Sequence, residues 1–503
     1  MNKKTWAGIL LGCVLAITAA GQNLFTDAGF ESFRKVQKNC YWWQVVKADT
    51  ATAVSVSDGK HAGARSLEVT LLKDTARIYY LGKPTRTEPG MRWKISVHAK
   101  GNGTLQIIVP QFGIYPDLEY EKKLQEAKSP VFKLTNEWKK YEFVYTGTPT
   151  TLFKFNVQFE LTGKGSKVTL DTASLTGDSD KTVFFRAHPK NCVARPGENI
   201  VHEILSKGVT GKSCVDYSAL PGGSTTPVEI PADGKIRFKA PEKPGIYSLA
   251  IFNKKHGIGS KFIVQVLTNE QYDKLEKLSQ NIKNPGRVLI LADSLTDYLR
   301  GRNWADILEF FCWKKYGRDT MIFNYAIGGD KAPRTLDRLR GKKGTYALDR
   351  YEGIADCKPD TIYIFLGQND SLLLNRDLGA KSPTQVPPEE FVRDYSAIIK
   401  LARKMYGEKT RFILITPVAM DYKKTWKLRF GNSKIVYGEP TIMENYRQLV
   451  YRIAKENNCE VLDVFAPLKA KKDLASYSLP DGVHINLKGN YLVAETALQH
   501  LAK

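Results

Sequence analysis

The sequence predicts a multidomain chain: two β-sandwich domains followed by an α/β domain of three layers built on a parallel sheet. From Asn23 to about Gly177, short alternating strands are divided by Gly, Asn, Asp and Pro, with few long helical patterns, the pattern of a β-sandwich. A second β-rich stretch runs from about Lys181 to Thr268, and beyond Arg287 apolar runs of strand length alternate with amphipathic segments whose apolar residues recur every three or four positions. That last alternation predicts a parallel sheet with helices on both faces. With 503 residues and 42% apolar content, the chain can fill two to four separate cores.

Taken in order, Met1-Asn-Lys-Lys4 is followed by an apolar run from Ala7 to Ala20 and by the small residues Ala19, Ala20 and Gly21. These are the three parts of a secretory signal, so residues 1–21 are expected to be removed on export to the periplasm or the exterior. The run is too short to span a bilayer comfortably, and no later run has membrane length, so stable membrane insertion is not expected. Leu10-Leu-Gly-Cys13 offers the alternative of a lipoprotein anchored through Cys13.

Residues 22–178 carry four recognisable words: N-L-F-T-D-A-G-F-E (Asn23 to Glu31), G-A-R-S-L-E-V (Gly63 to Val69), E-W-K-K-Y-E-F (Glu137 to Phe143) and V-T-L-D-T-A-S-L (Val168 to Leu175). Together they resemble the β-sandwich carbohydrate-binding modules appended to secreted glycoside hydrolases. The resemblance implies a polysaccharide partner, and it makes Glu31 and Asp171 candidate ligands of a structural calcium. Aromatic rings stack on sugar faces, which makes Trp42, Trp43, Tyr79, Tyr80, Tyr115 and Tyr120 candidates. Adjacent strand residues point to opposite faces, so one of Trp42 and Trp43 is expected in the core, with Trp138.

Residues 181–268, punctuated by Pro196–Asn199, Pro231–Gly234 and Lys243–Leu249, resemble a small immunoglobulin-like domain. The segment holds no catalytic constellation and reads as a spacer. Its Cys192 and Cys214 pair as a disulfide, which export permits, or stand as two buried thiols. Residues 269–285 read as a short helical or polar linker.

In residues 286–503, Val288–Ala292, Met321–Tyr325, Thr361–Leu366, Phe412–Thr416 and Val461–Val464 read as strands; Trp304–Tyr316, Pro388–Met405, Ile442–Asn457 and Leu487–Leu501 read as helices. Four short blocks stand among them: A-D-S-L-T around Ser294, I-G-G-D (Ile327 to Asp330), L-G-Q-N-D (Leu366 to Asp370) and L-P-D-G-V-H (Leu479 to His484). A serine becomes a useful nucleophile when a histidine takes its proton and a carboxylate orients that histidine. Here the carboxylate and histidine are three residues apart. Of seven histidines, only His484 and His500 fall after residue 280, and His500 is expected on the outer face of the terminal helix, which leaves His484 as the base.

These blocks in this order resemble the SGNH, or GDSL-like, family of serine esterases and lipases, from about Arg287 to the C-terminus. The resemblance implies a flavodoxin-like sheet and makes Ser294 the nucleophile, His484 the general base and Asp481 the residue that fixes its tautomer. It assigns the oxyanion hole to the backbone N–H groups of Ser294 and Gly329 and the side-chain N–H of Asn369, and it needs no cofactor for catalysis. Ala292 stands where the family usually has glycine; its methyl either crowds the oxyanion site or fills space beneath it.

The formal net charge is +23. The excess is spread along the chain without the compact basic motif of a nucleic-acid reader, whereas an anionic polysaccharide would suit it, as would mere solubility. One cluster is sharper: Lys423, Lys424, Lys427 and Arg429, with Trp426 and Phe430, follow a strand end, where they would grip a sugar acid by charge and stacking or form a solvated loop. There is no C-x-x-C and no His/Cys cluster at zinc spacing. The chain therefore reads as an exported serine esterase removing acetyl or similar acyl groups from a polysaccharide. The alternatives are a lipase or lysophospholipase of the same family and a non-catalytic glycan-binding adhesin with a vestigial hydrolase domain, against which the intact Ser294, Asp481 and His484 speak. The oligomeric state is left open.

Overall fold

The computed structural model describes residues 23–503 apart from 24, 26–27, 29, 31–32, 35–38, 41–42, 48, 58, 81–84, 114–121, 149–153, 179–182, 298–301 and 428–433. Residues 1–21, read above as a secretory signal and including Cys13, and Glu31, Trp42, Tyr115, Tyr120, Arg429 and Phe430 lie outside the described residues.

Two antiparallel sheets face each other across the first domain. One is centred on Thr104–Gly113 and Gln158–Thr162, the other on Arg92–Gly101 and Lys167–Gly177. Alternate residues of these strands, among them Trp93, Ile95, Val97 and Phe159, interdigitate in one apolar core. Trp43 belongs to that core. Its ring stacks on Phe159 at 5.2 Å and it has no exposed surface, so its candidacy as a sugar platform is corrected: its strand position turns it inward. Tyr80 is buried as well, Tyr79 is half-buried on the opposite face, and Trp138 is half-exposed rather than core.

Asp171 is wholly buried. One of its oxygens accepts from Thr172 N at 2.6 Å and the other from His61 N and Ala62 N at 2.8 and 3.0 Å. The Thr172 hydroxyl also donates to the first oxygen at 3.2 Å, and among the described residues no group of three or more His, Cys, Asp or Glu could hold a metal ion.

The second domain is a smaller sandwich. A sheet of Phe184–His188, Asn199–Lys207 and Lys235–Lys239 packs on one ordered Cys192–Ala194, Ile258–Val266, Gly245–Asn253, Ser213–Asp216 and Val228–Glu229. Cys192 and Cys214 are free thiols. Two strands separate theirs in the second sheet, a distance of roughly 14 Å at ordinary strand spacing, twice what a disulfide spans.

The third domain carries five parallel strands: β1 (Arg287–Ala292), β2 (Met321–Asn324), β3 (Thr361–Phe365), β4 (Arg411–Ile415) and β5 (Glu460–Leu462), in the order β2-β1-β3-β4-β5. This is the flavodoxin-like order, with its switch point at β1. Strand β1 is an unbroken apolar run because both faces are covered. Val288, Ile290 and Ala292 enter one core with helices α1 (Asn269–Ser279), α2 (Trp304–Tyr316) and α8 (Leu487–Leu501). Leu289 and Leu291 enter another with α3 (Ala332–Leu339), α4 (Pro388–Tyr406) and α6 (Pro440–Glu456). Two further short helices, α5 (Tyr422–Lys427) and α7 (Phe465–Lys469), follow β4 and β5.

The five expected strands and four expected helices of this domain coincide with these elements to within about two residues, whereas α3 and α7 are unforeseen. Of the segment read as a short helical or polar linker, the first part takes the helical form as α1, opened by a capping box between Thr268 and Gln271. The basic segment after β4 begins as helix α5. Nor is the second domain a detached spacer: Phe262, Val264 and Val266 share one continuous apolar core with Tyr272, Phe311 and the sheet. The first domain abuts the second where Lys261 N donates to Glu88 Oε2 at 3.0 Å. At Gly259 an added Cβ would fall 1.8 Å from Pro89 O, so only glycine allows that approach.

Candidate active site

Strand β1 ends at Ala292, and the chain then turns sharply. Asp293 Oδ1 accepts from Leu295 N at 2.9 Å and its carbonyl from Thr296 N at 3.1 Å. This turn is braced from below: Thr296 O accepts from Asn303 Nδ2 and Asn324 Nδ2, and Thr296 Oγ1 from Trp304 Nε1 at 2.8 Å. Ser294 thus stands at the carboxyl end of the sheet, where open α/β folds place ligands. The Ala292 methyl is buried in the apolar layer shared with α2 and α8, so it fills space beneath the turn.

Leu479–His484 forms a loop closed by Leu479 N to His484 O at 2.7 Å and Gly482 N to Leu479 O at 2.8 Å. Within it Asp481 Oδ1 accepts from Val483 N and His484 N, each at 2.9 Å, and Oδ2 faces His484 Nδ1 at 2.5 Å. The other ring nitrogen, Nε2, is 2.9 Å from Ser294 Oγ. Burial by itself would raise the Asp481 carboxyl, but the hydrogen bond and charge of His484 and the two backbone N–H groups outweigh it and hold it below the usual carboxylate range. The group is therefore an anion fixed against Nδ1. The three predicted residues come together as an Asp–His–Ser chain.

The loop after β2 is a tight turn. Ile327 N donates to Ala292 O, Gly328 N to Asp297 Oδ2 at 2.8 Å, and Asp330 N to Ile327 O at 3.1 Å. Asp330 and Arg338 form a fully buried ion pair, and Arg334 and Thr335 also donate to the Asp330 carboxylate. Gly329 has φ +75°, which suits glycine. Neither its N–H nor that of Ser294 meets an acceptor among the described residues, so both remain available to an oxyanion. Asn369 differs from expectation. Its Nδ2 donates to Asp293 Oδ2 and Asp330 O, both at 3.0 Å, and its Oδ1 accepts from Tyr437 at 3.2 Å. Both amide hydrogens are engaged, so an oxyanion reaches Asn369 only by taking over one of these contacts.

Helix α5 lies against the triad loop: an added Cβ at Gly482 would sit 3.0 Å from Thr425 Cγ2. Lys424 Nζ is 3.3 Å from Ser478 Oγ. Lys423, Trp426 and Lys427 are exposed, and the Trp426 ring is held by the Arg376 guanidinium at 4.1 Å and the edge of Tyr422. His500 pairs with Glu460 at 2.8 Å, away from this site. Sequence reading missed Tyr437, Asp293, Asp297 and Arg338. The first lies 68 residues from its partner Asn369 and has no local signature.

Residues 293–492 match the GDSL-like lipase/acylhydrolase family, and residues 22–169 match a carbohydrate binding domain. An isoamyl acetate-hydrolyzing esterase 1 homolog of Bos taurus is 32% identical over 222 residues, covering 41% of this chain and 78% of that protein. The chain belongs to the GDSL-like lipase/acylhydrolase family. A lipase/acylhydrolase from Enterococcus faecalis has a similar structure, at 18% identity, with TM-score 0.32 and coverage of 43% of this chain and 95% of that one. For the first domain, a xylan-binding domain from Paenibacillus barcinonensis aligns at 13% identity and TM-score 0.23, over 30% of this chain and 90% of that one. The family hydrolyses ester bonds. Among the described residues, no helix is long and apolar enough to cross a membrane.

Proposed function

We propose that this chain is an exported esterase that removes O-acyl groups, foremost O-acetyl, from a polysaccharide through a Ser294 acyl-enzyme. The observation that carries the reading is the continuous contact from Asp481 through His484 to Ser294 Oγ. In the first step His484 Nε2 takes the hydroxyl proton as Oγ attacks the ester carbonyl, and Asp481 stabilises the resulting imidazolium without accepting its proton. The N–H groups of Ser294 and Gly329, joined by one exchanged hydrogen of Asn369, hold the oxyanion. Collapse returns the proton to the sugar alkoxide and leaves the acyl group on Ser294. Water, deprotonated by His484, then releases the acid. No metal or cofactor enters these steps.

The carbohydrate part of the reading is supported by the family match of the first domain, and export by the signal pattern of residues 1–21. The exposed Lys423, Trp426 and Lys427, beside the triad loop with Lys424, make an anionic glycan the favoured substrate. Acetate release from acetylated xylan, pectin and uronate-rich glycans, set against nitrophenyl esters of about two to twelve carbons, tests the assignment. Preference for long acyl chains and no acetate from any glycan would favour the lipase alternative. Replacing Lys423, Lys424 and Lys427 with Ser should raise KM for anionic glycans and leave neutral nitrophenyl acetate unchanged, since exposed pairs are worth up to about 1 kcal/mol each. The wild-type advantage should fade at about 1 M salt. Equal losses on both substrates would remove the charge argument.

A further inference from the structure

Asn369 is the meeting point of three segments: the nucleophile turn through Asp293, the Gly329 turn through Asp330 O, and the loop after α5 through Tyr437. A side-chain amide has two orientations related by a half-turn, and they exchange a donor for an acceptor. Asp293 Oδ2 and Asp330 O both require the NH₂ group. Among the described residues, the Tyr437 hydroxyl alone addresses the amide oxygen. We propose that Tyr437 is a positioning residue that locks the Asn369 amide with its N–H edge toward the nucleophile turn, so that an oxyanion on Ser294 meets a donor and not a carbonyl. The inference rests on the reading of Ser294 as nucleophile.

Several features fit Tyr437 to this task. Its backbone is fixed on both sides: Val436 exchanges two backbone hydrogen bonds with Leu373, and Tyr437 O accepts from Thr425 Oγ1 at 2.6 Å. Thr425 is fully buried and touches the position of Gly482 in the triad loop. The backbone that carries the ring is thereby tied through Thr425 to the loop that carries Asp481. Burial pushes the hydroxyl up to about 12, with the carboxylates of Asp293 and Asp481 adding to the effect, so it stays a donor through the working pH range. It is also neutral. A lysine here would bring charge to Asp293 and compete with Asn369 for it.

The test is Tyr437→Phe in the full chain, with nitrophenyl acetate as substrate and a phenylboronic acid as mimic of the tetrahedral state. We expect kcat to fall roughly three- to tenfold, the range that one neutral hydrogen bond covers, with KM unchanged and boronate affinity reduced by the same factor. In an Asn369→Ala background the same substitution should change kcat no further. An unchanged kcat, or an equal loss in both backgrounds, overturns the proposal. If Tyr437→Phe folds poorly, Tyr437→Gln and Tyr437→Met replace it: they are similar in length and only the first keeps a donor, so equal kcat in the two also overturns it. Ser294→Ala separates the two readings. Turnover that survives it defeats the nucleophile assignment, whereas a dead Ser294→Ala beside a normal Tyr437→Phe defeats only the positioning role.

Discussion

Ser294 and His484 are 190 residues apart in the chain and 2.9 Å apart in space, and each was legible because its chemistry is written in consecutive residues. The Asp481-Gly-Val-His484 block contains its own hydrogen-bond logic: the carboxylate caps the N–H groups two and three residues ahead and thereby presents its other oxygen to the ring. Asp481→Asn should retain this loop but offer an amide N–H where Nδ1 needs an acceptor for its proton. The imidazole is then held in the wrong tautomer, and kcat should fall by about 10⁴ with little change in KM. Steady-state kinetics on a short nitrophenyl ester reads this directly; a loss smaller than about tenfold would place Asp481 outside the proton path. What was not legible is what supports those residues. Asp297 holds Gly328 and Tyr437 holds Asn369 from distant segments, and the buried Arg338 answers Asp330 across a turn and a helix, so no local pattern announces them.

Among the elements, Trp304–Tyr316 and Leu487–Leu501 coincide with their expected bounds because each is a largely apolar segment of helix length opened by an Asn cap at residue 303 or 486. Helix α3 escaped notice because it is short and because its buried face includes Thr335 and Arg338, which a search for apolar spacing passes over. The opening turn of α3 is fixed by Asp370, whose carboxylate accepts from Ala332 N at 2.9 Å and Gly367 N at 3.0 Å. Burial raises this carboxyl from 3.8 to about 7; the N–H donors oppose the shift and Asp330 adds to it. A carboxyl raised on folding contributes stability that is complete below its unfolded value and is lost as pH climbs to the folded one. Thermal unfolding of wild type against Asp370→Asn should therefore show the largest wild-type advantage near pH 4, shrinking toward pH 7. A difference independent of pH would show that Asp370 is ionised throughout.

For the whole molecule, the boundary after the second sandwich is a change of fold, while the core runs across it. Composition and turn residues divide the chain into segments, but a shared core depends on which faces meet, and no sequence pattern records that. Residues 286–503 expressed alone would expose the surfaces that Tyr272, Leu275 and Phe262 now cover. Their thermal unfolding should begin well below that of residues 183–503, and identical melting would mean that the shared core contributes little. The first domain meets the second through narrower contacts around Glu88, Pro89 and Gly259. Residues 23–178 should accordingly fold alone and be retarded in polysaccharide gels without hydrolysing them.

The most direct test of the account is covalent. A fluorophosphonate that mimics the tetrahedral ester should add once to the wild-type chain, on the peptide containing Ser294, with loss of esterase activity in proportion to labelling. Ser294→Ala should take up no label and release no acetate while keeping the wild-type melting temperature. Labelling at another residue, or acetate release that persists in a folded Ser294→Ala, would contradict the account.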